Sequence, residues 1–496
     1  MKAIKRAAGS KALARAAGML LIALVTVFVA WAAVGAKSRY LHSANISTEA
    51  PDVVFIAIDT LRADRLSAFG GDVPTPAIDS LVERGVVFLN NESVAPGTGP
   101  SFASIMTSMY PPQHGMTRST TNLKRFVKPL AQVLWEQGYS TAAFVSCFVL
   151  DSRFGFGRGF DVYDDELVTK YESELSEKDS EIAVDRAIDW MGGLDGKKFF
   201  LWVHMFDPHS PYRCWNDDFT GGQDLGGNYV GQARELLPDP AGVQLLDRIK
   251  ECYALEIRHA DMQVARLLEA LRKNGRFDNT MFVFIADHGE EFAEHGNYIG
   301  HVESLHNQVL HVPLVVVFPD RMGAGTKHTG QVSSIDVMPT VLKAVGLETP
   351  RSARGRDLAA LLKVSGDNAP PAFSMRETAY WFTKGQGFAV LQGGWKLIEF
   401  EQAGDMLFNL NDDPEELNDL KSVEEKKYGE LKSKLALWKK DVGFRKPGMN
   451  RVMKFLSNVK KRLGFKPGTW QRGGDEKKPK MDAETHEKLK ELGYIE

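Results

Sequence analysis

The chain has 496 residues and a mass of 55.1 kDa, which excludes a single small domain and suits about two domains, or one large α/β unit with an appendage. Apolar residues make up 43% and charged residues 25%, a globular balance that excludes wholesale disorder, and 61 Lys and Arg against 64 Asp and Glu leave a net charge of −3, so bulk charge makes no case for nucleic-acid binding. Three cysteines, Cys147, Cys214 and Cys252, exclude a disulfide-rich scaffold and an all-cysteine zinc site, and allow at most one disulfide whose pairing stays open.

Lys2, Lys5, Arg6, Lys11 and Arg15 precede an uncharged apolar run from Ala16 to Ala36, closed by Lys37. About 20 apolar residues match a bilayer core as a helix and exceed a secretory h-region. The basic flank stays on the cytoplasmic side. The expectation is a basic cytoplasmic segment (1–15), a single-pass transmembrane anchor (16–36), a linker (37–50) and an extracytoplasmic remainder, periplasmic or extracellular. Val34-Gly35-Ala36 would also suit cleavage, which makes a removed signal peptide and a secreted protein the alternative.

Val53 to Ile58 is a continuous apolar run of the kind found in buried parallel strands, and Thr141 to Val145, Phe199 to Val203, Met281 to Ala286 and Val312 to Phe318 repeat it. Between them, Thr75 to Arg84, Leu130 to Gln137, Ser180 to Met191 and Glu251 to Lys273 carry apolar residues at helical spacing. Gly138 and Gly275 stand where helices stop. Alternating strand and helix predict a doubly wound α/β sheet, mostly parallel, over 51–365, with its active site at the strand carboxyl ends. After Ala369-Pro370-Pro371 the texture changes. Gly387 to Leu391 and Trp395 to Phe400, joined by Gly393-Gly394, read as a hairpin. A charged helix near Val423 to Lys440 follows, so 366–496 is expected to be a smaller antiparallel α+β unit. From 445 to 480 there are twelve Lys or Arg against two acids, a solvated segment or one drawn to anionic lipid headgroups.

The chemistry concentrates at strand ends. Asp59 follows the first strand and Asp287-His288-Gly289-Glu290 follows a later one. Two carboxylates and an imidazole there make a divalent-metal set, open to calcium, magnesium, manganese or zinc. Thr98, in Pro96-Gly97-Thr98-Gly99-Pro100-Ser101, lies at the mouth of a helix. Thr98 or Ser101 could simply cap it. A hydroxyl at that point beside a metal could also act as a nucleophile on an oxyanion held by the helix N–H groups. Eight of the twelve histidines fall between His204 and His311. His209, in Asp207-Pro208-His209, and His301, in Gly300-His301, sit in loops at strand ends and are candidates to assist a leaving group. His204 lies inside an apolar strand and reads as a satisfied core histidine. His295, His306 and His311 are not distinguished.

From about Pro51 to the C-terminus the sequence resembles the sulfatase family of the alkaline phosphatase superfamily. The likeness rests on Asp59-Thr60-Leu61-Arg62-Ala63-Asp64, Thr75-Pro76-Ala77-Ile78-Asp79-Ser80-Leu81, Phe206-Asp207-Pro208-His209, Asp287-His288-Gly289-Glu290 and Gly300-His301. Val312-Pro313-Leu314, Ser334-Ile335-Asp336, Leu407-Phe408-Asn409-Leu410, Asp413-Pro414-Glu415-Glu416 and Leu492-Gly493-Tyr494 continue it in order. The resemblance implies a large α/β domain with a metal at the strand ends, a smaller C-terminal sheet domain, Asp59, Asp287 and His288 as metal ligands, and Thr98 at the nucleophile position. Typical members carry Cys or Ser there, oxidised to formylglycine. Oxidation of threonine would give a ketone, so formylglycine is not expected. Phe102 stands in place of the family's Arg, and Thr60 in place of a second Asp ligand. Threonine nucleophiles occur in phosphodiesterases and phosphoryl transferases of the superfamily. The expected function is therefore hydrolysis of an anionic ester of a glycan, lipid headgroup or small molecule through Thr98, with phosphorus slightly favoured over sulfur. The alternatives are a degenerate member that only binds such a group, and an envelope phosphoryl-group transferase.

Overall fold

The computed structural model describes residue 47 and residues 49–444, except 120, 169–176, 216–221, 225–228, 363–369 and 377–385. The expected anchor at 16–36 and the basic segment at 445–480 lie outside the described residues. Among the described helices none is long and apolar enough to cross a membrane.

Eight of the described strands form one sheet: β1 (Asp52–Ile58), β2 (Val86–Glu92), β3 (Ser140–Phe144), β4 (Val162–Asp164), β5 (Phe199–Met205), β6 (Thr280–Ile285), β7 (Leu314–Val317) and β8 (Thr326–Ser333). Their order is β8-β2-β7-β6-β1-β5-β3-β4. Only β7 runs against its neighbours β6 and β2; the other pairings are parallel. The sheet is thus mixed, mostly parallel as expected, with one strand reversed. Every residue of β1 is buried, because the alternation of side chains feeds two cores. Val53, Phe55 and Ala57 enter one core, and Val54, Ile56 and Ile58 the other.

Helices cover both faces. On one side lie α1 (Pro76–Arg84), α3 (Ser180–Gly192) and α4 (Pro240–Lys273); on the other lie α2 (Thr98–Thr107) and α5 (Val337–Ala344). α4 begins at Pro240 behind Asp239, well before the expected Glu251. Proline at the first helical turn loses no hydrogen bond there, and a long half-exposed first segment weakens the apolar period. A disulfide joins Cys214, on a short strand, to Cys252 of α4 across 38 residues, and Cys147 is free and buried. Closing a loop of that length restricts the unfolded chain by about 3–4 kcal/mol. Replacing both cysteines by serine is expected to lower unfolding stability by that order in a guanidinium titration.

The C-terminal unit is a four-stranded antiparallel sheet, β9 (Ala372–Arg376), β10 (Gly387–Gln392), β11 (Trp395–Phe400) and β12 (Gly404–Asn409), backed by α6 (Glu425–Asp441). Gly393 and Gly394 make the expected β10–β11 turn with φ of 58° and 77°. This sheet packs on the large one. Met375, Phe388, Leu397 and Trp438 share a cluster with Val94, Tyr110 and Ile335. Lys396 is fully buried in the seam, 3.1 Å from Glu416 and 4.0 Å from Glu92. Burial raises Glu92 to about 7, against the pull of Lys396. For Glu416 burial also raises the pKa, but Lys396 and His306 outweigh it and hold it near 2. A carboxyl raised in the folded state binds its proton more tightly there than when unfolded. Stability contributed by Glu92 is therefore present at low pH and falls between about 4.5 and 7, whereas that of Glu416 is lost only as pH falls through the acid range. Glu92→Gln is expected to flatten the stability profile between pH 5 and 8 by about 3 kcal/mol, read by denaturant unfolding at each pH.

Candidate active site

β1 lies between β5 and β6, so the carboxyl ends of three parallel strands meet at one point. Asp59 leaves β1, His209 follows β5, and Asp287 and His288 follow β6. The backbone turns sharply after Asp59: Thr60 has φ of 52°, a costly conformation for a β-branched residue. Its hydroxyl donates to the Asp59 carbonyl at 2.8 Å. The Tyr253 hydroxyl donates to the Thr60 carbonyl at 2.8 Å and accepts from Arg62 N–H at 3.0 Å. Thr60 therefore serves the turn that aims Asp59.

Thr98 is the first residue of α2, with Gly97 as N-cap. Its side chain points into the strand ends and is fully buried. Thr98 Oγ1 lies 3.2 Å from Asp59 Oδ2 and 3.2 Å from His288 Nε2. Ser101, one turn on, donates to the Asp287 carbonyl at 2.8 Å, and the Ser93 hydroxyl reaches the same carbonyl. The first turn of α2 and the backbone of Asp287 are thus tied together directly.

Asp59, Asp287 and His288 bring one ligand atom each within 4.8 Å of one another. Asp59 Oδ1 and both oxygens of Asp287 are buried and accept no hydrogen bond. Burying uncompensated carboxylate oxygens is expensive, so this donor set fits a divalent cation. Asp287 is pushed well above the usual carboxylate range by burial and by the Asp59 charge. Burial acts the same way on Asp59, but the His204 hydrogen bond and neighbouring imidazoles hold it low. Asp59 is the charged member of the pair.

The histidines share one arrangement. Nδ1 of His288 faces the Gly289 carbonyl at 3.0 Å, Nδ1 of His209 the Ser210 carbonyl at 2.6 Å, and Nδ1 of His301 faces Glu290 Oε1 at 3.2 Å. A proton on each Nδ1 leaves each Nε2 with a lone pair. The His301 ring stacks on His288 with centroids 4.2 Å apart, and His209 meets His301 at 5.3 Å. Burial lowers all three: His288 to about 3, His301 to about 4, and His209 below its ordinary value. The structure thus brings together all six residues singled out from the sequence.

His204 is buried and hydrogen-bonded, as expected of a core histidine, but its partner is Asp59: His204 Nε2 lies 3.1 Å from Asp59 Oδ2. It fixes one Asp59 oxygen and leaves Oδ1 for a cation. The sequence carried a signal, a lone polar residue near the carboxyl end of an otherwise apolar strand. Ser93 and Ser101 carried none. Phe102 is fully buried, its ring 5.2 Å from both Trp202 and His204, so an aromatic face fills the place of the family's cation.

Residues 51–347, more than half of the chain, match the family described as Sulfatase. The chain belongs to the sulfatase family. Residues 293–441 also match the family described as N-sulphoglucosamine sulphohydrolase, C-terminal. The family match and the curated relatives place the chain among sulfuric-ester hydrolases. The N-acetylglucosamine-6-O-sulfatase of Bacteroides thetaiotaomicron is 23% identical to this sulfatase-family chain over 472 residues, covering 75% of it and 83% of the relative. Among solved structures, a complex with its substrate D-glucosamine-2-N,6-O-disulfate superposes with a TM-score of 0.69 at 19% identity, over 80% of this chain and 99% of the other. The phosphonate monoester hydrolase of Agrobacterium radiobacter gives 0.62 at 19% identity, over 78% and 95%. At these identities the two structures speak for the fold.

Proposed function

We propose that this sulfatase-family protein is a metal-dependent hydrolase of an anionic ester that uses Thr98 as nucleophile, with phosphodiester or other phosphoester slightly favoured over sulfate ester. The observation that carries the reading is the Thr98 hydroxyl, buried at a helix start and 3.2 Å from both Asp59 Oδ2 and His288 Nε2. A divalent ion held by Asp59, Asp287 and His288 would polarise the ester and lower the proton affinity of a hydroxyl beside it. Thr98 Oγ1 forms the bond to phosphorus or sulfur as the ester oxygen leaves, its charge met by the first N–H groups of α2. An anionic ester beside His209 and His301 raises their proton affinity, so one Nε2 can take up the proton that Thr98 loses and pass it to the leaving oxygen. Water then cleaves the Thr98 ester and restores the hydroxyl.

Two sequence features support action outside the cytoplasm from a single membrane anchor: the apolar run at 16–36 with its basic flank, and the Cys214–Cys252 disulfide, which suits an oxidising compartment. The test offers aryl sulfate, aryl phosphate monoester and aryl phosphodiester to the purified full-length protein with defined divalent metals. Thr98-dependent turnover of a phosphoester supports the reading. Turnover of sulfate alone overturns the preference for phosphorus. A second reading, binding without turnover, is favoured by Phe102 in place of a cation; metal binding with no turnover on any ester would establish it.

A further inference from the structure

A second cluster of ligating side chains lies away from Thr98, in the seam with the C-terminal sheet. Glu291, His295 and His306 bring one ligand atom each within 4.8 Å of one another. Glu291 Oε1 is 2.5 Å from His295 Nδ1, and the imidazoles of His295 and His306 stack with centroids 3.6 Å apart. Glu291 is 2% exposed at its side chain, His306 8% and His295 15%. The cluster is therefore nearly enclosed, with its opening at His295.

The far side of each ring is what points to a metal. His295 Nε2 lies 3.0 Å from the Glu415 carbonyl, and His306 Nδ1 lies 3.3 Å from Glu416 Oε2. Both acceptors belong to the Asp413-Pro414-Glu415-Glu416 turn of the C-terminal unit. Glu416 is itself fixed, accepting from Asn307 N–H at 2.6 Å and lying 3.1 Å from Lys396. Protons on those far nitrogens leave lone pairs on His295 Nδ1 and His306 Nε2. Metal-ligating histidines turn their second nitrogen to a carboxylate or a backbone carbonyl; His295 does so with a hydrogen bond to Glu415, and His306 Nδ1 faces the Glu416 carboxylate as an ion pair without hydrogen-bond geometry. The donor set, two imidazoles and one carboxylate, is that of zinc-class ions; calcium and magnesium want six or more oxygens.

We propose that Glu291, His295 and His306 form a second metal site that binds zinc and pins the 291–306 loop, with the Glu415-Glu416 turn of the C-terminal unit behind its two imidazoles. Glu415 and Glu416 position its two imidazoles. Nothing in this proposal depends on the ester-hydrolase reading.

The test counts zinc bound to the metal-stripped full-length protein, by competition with a chromophoric chelator and by elemental analysis. Wild type is expected to bind two zinc ions per chain. His295→Gln and His306→Gln are each expected to lose one, and Asp287→Asn to lose the other. Glu291→Gln, close in volume, is the second variant should a histidine variant fail to fold, and Glu416→Gln is expected to weaken this site by about 10–100-fold. Folded His295→Gln, His306→Gln and Glu291→Gln proteins that bind as much zinc as wild type, as tightly, would overturn the second site and leave plain hydrogen bonds in its place. If Asp287→Asn loses nothing while His295→Gln loses one ion, the second site stands and the catalytic metal set falls.

Discussion

Replacing Thr98 by alanine is expected to lower kcat/KM by about 10⁴-fold or more, the scale on which removal of a covalent nucleophile acts, and to leave metal content and melting temperature near wild type. The geometry separates this from a structural effect. Thr98 Oγ1 contacts Asp59 and His288, and Thr98→Ala leaves the Gly97 N-cap in place. Thr98→Ser restores a hydroxyl at the same point, and its activity is expected within about tenfold of wild type, since only one methyl is lost. Single-turnover experiments should trap a covalent ester on the wild type and none on the alanine variant. If alanine at 98 leaves turnover unchanged, the nucleophile is elsewhere.

Asp287→Asn reverses its effect on stability with the metal. In the metal-free protein, Asp287 is a buried carboxyl whose proton affinity burial and the Asp59 charge raise well above the usual carboxylate range. Removing its ionisable group relieves that cost, so the metal-free variant melts at or above the wild type. With metal in excess the order inverts. Wild type gains about 2.7 kcal/mol at a hundredfold excess over its dissociation constant, and the variant, short of one ligand charge, gains little. Activity falls with metal affinity. Melting curves with chelator and with saturating divalent ion check both halves. A variant less stable than wild type under both conditions would mean that Asp287 has a purely structural role.

Much of this architecture is legible in the sequence because burial leaves a strong mark. β1, β5 and β6 are buried on both faces and read as unbroken apolar runs. β8, Thr-Lys-His-Thr-Gly-Gln-Val-Ser, lies at the sheet edge, half exposed and polar, and nothing in its composition separates it from a loop. The reversed direction of β7 leaves no trace, since an apolar run reads alike in both directions. Asp59, Thr98, His209, Asp287, His288 and His301 were legible through motif order. Their supports were not. His204 looks like any core residue until its ring is seen on Asp59, and Ser93 and Ser101 act through hydroxyls that reach a distant carbonyl. The Glu291, His295 and His306 cluster is completed by Glu415 and Glu416, over a hundred residues on, a separation that no local pattern spans.

β9 carries Ser374, whose hydroxyl donates to the Ser93 carbonyl at 2.6 Å, and Met375, whose N–H donates to the Val94 carbonyl at 2.9 Å. These bonds hold the stretch that leads into Thr98, yet Ser93 and Ser374 are 281 residues apart in sequence. At roughly 5–20 residues per second of synthesis, the loop before Thr98 waits from about fifteen seconds to nearly a minute for the strand that braces it. A chain interrupted before residue 372 carries every motif from Asp59 to His301 but lacks the brace. The order of the backbone before Thr98 is in this sense set by a strand made long after it.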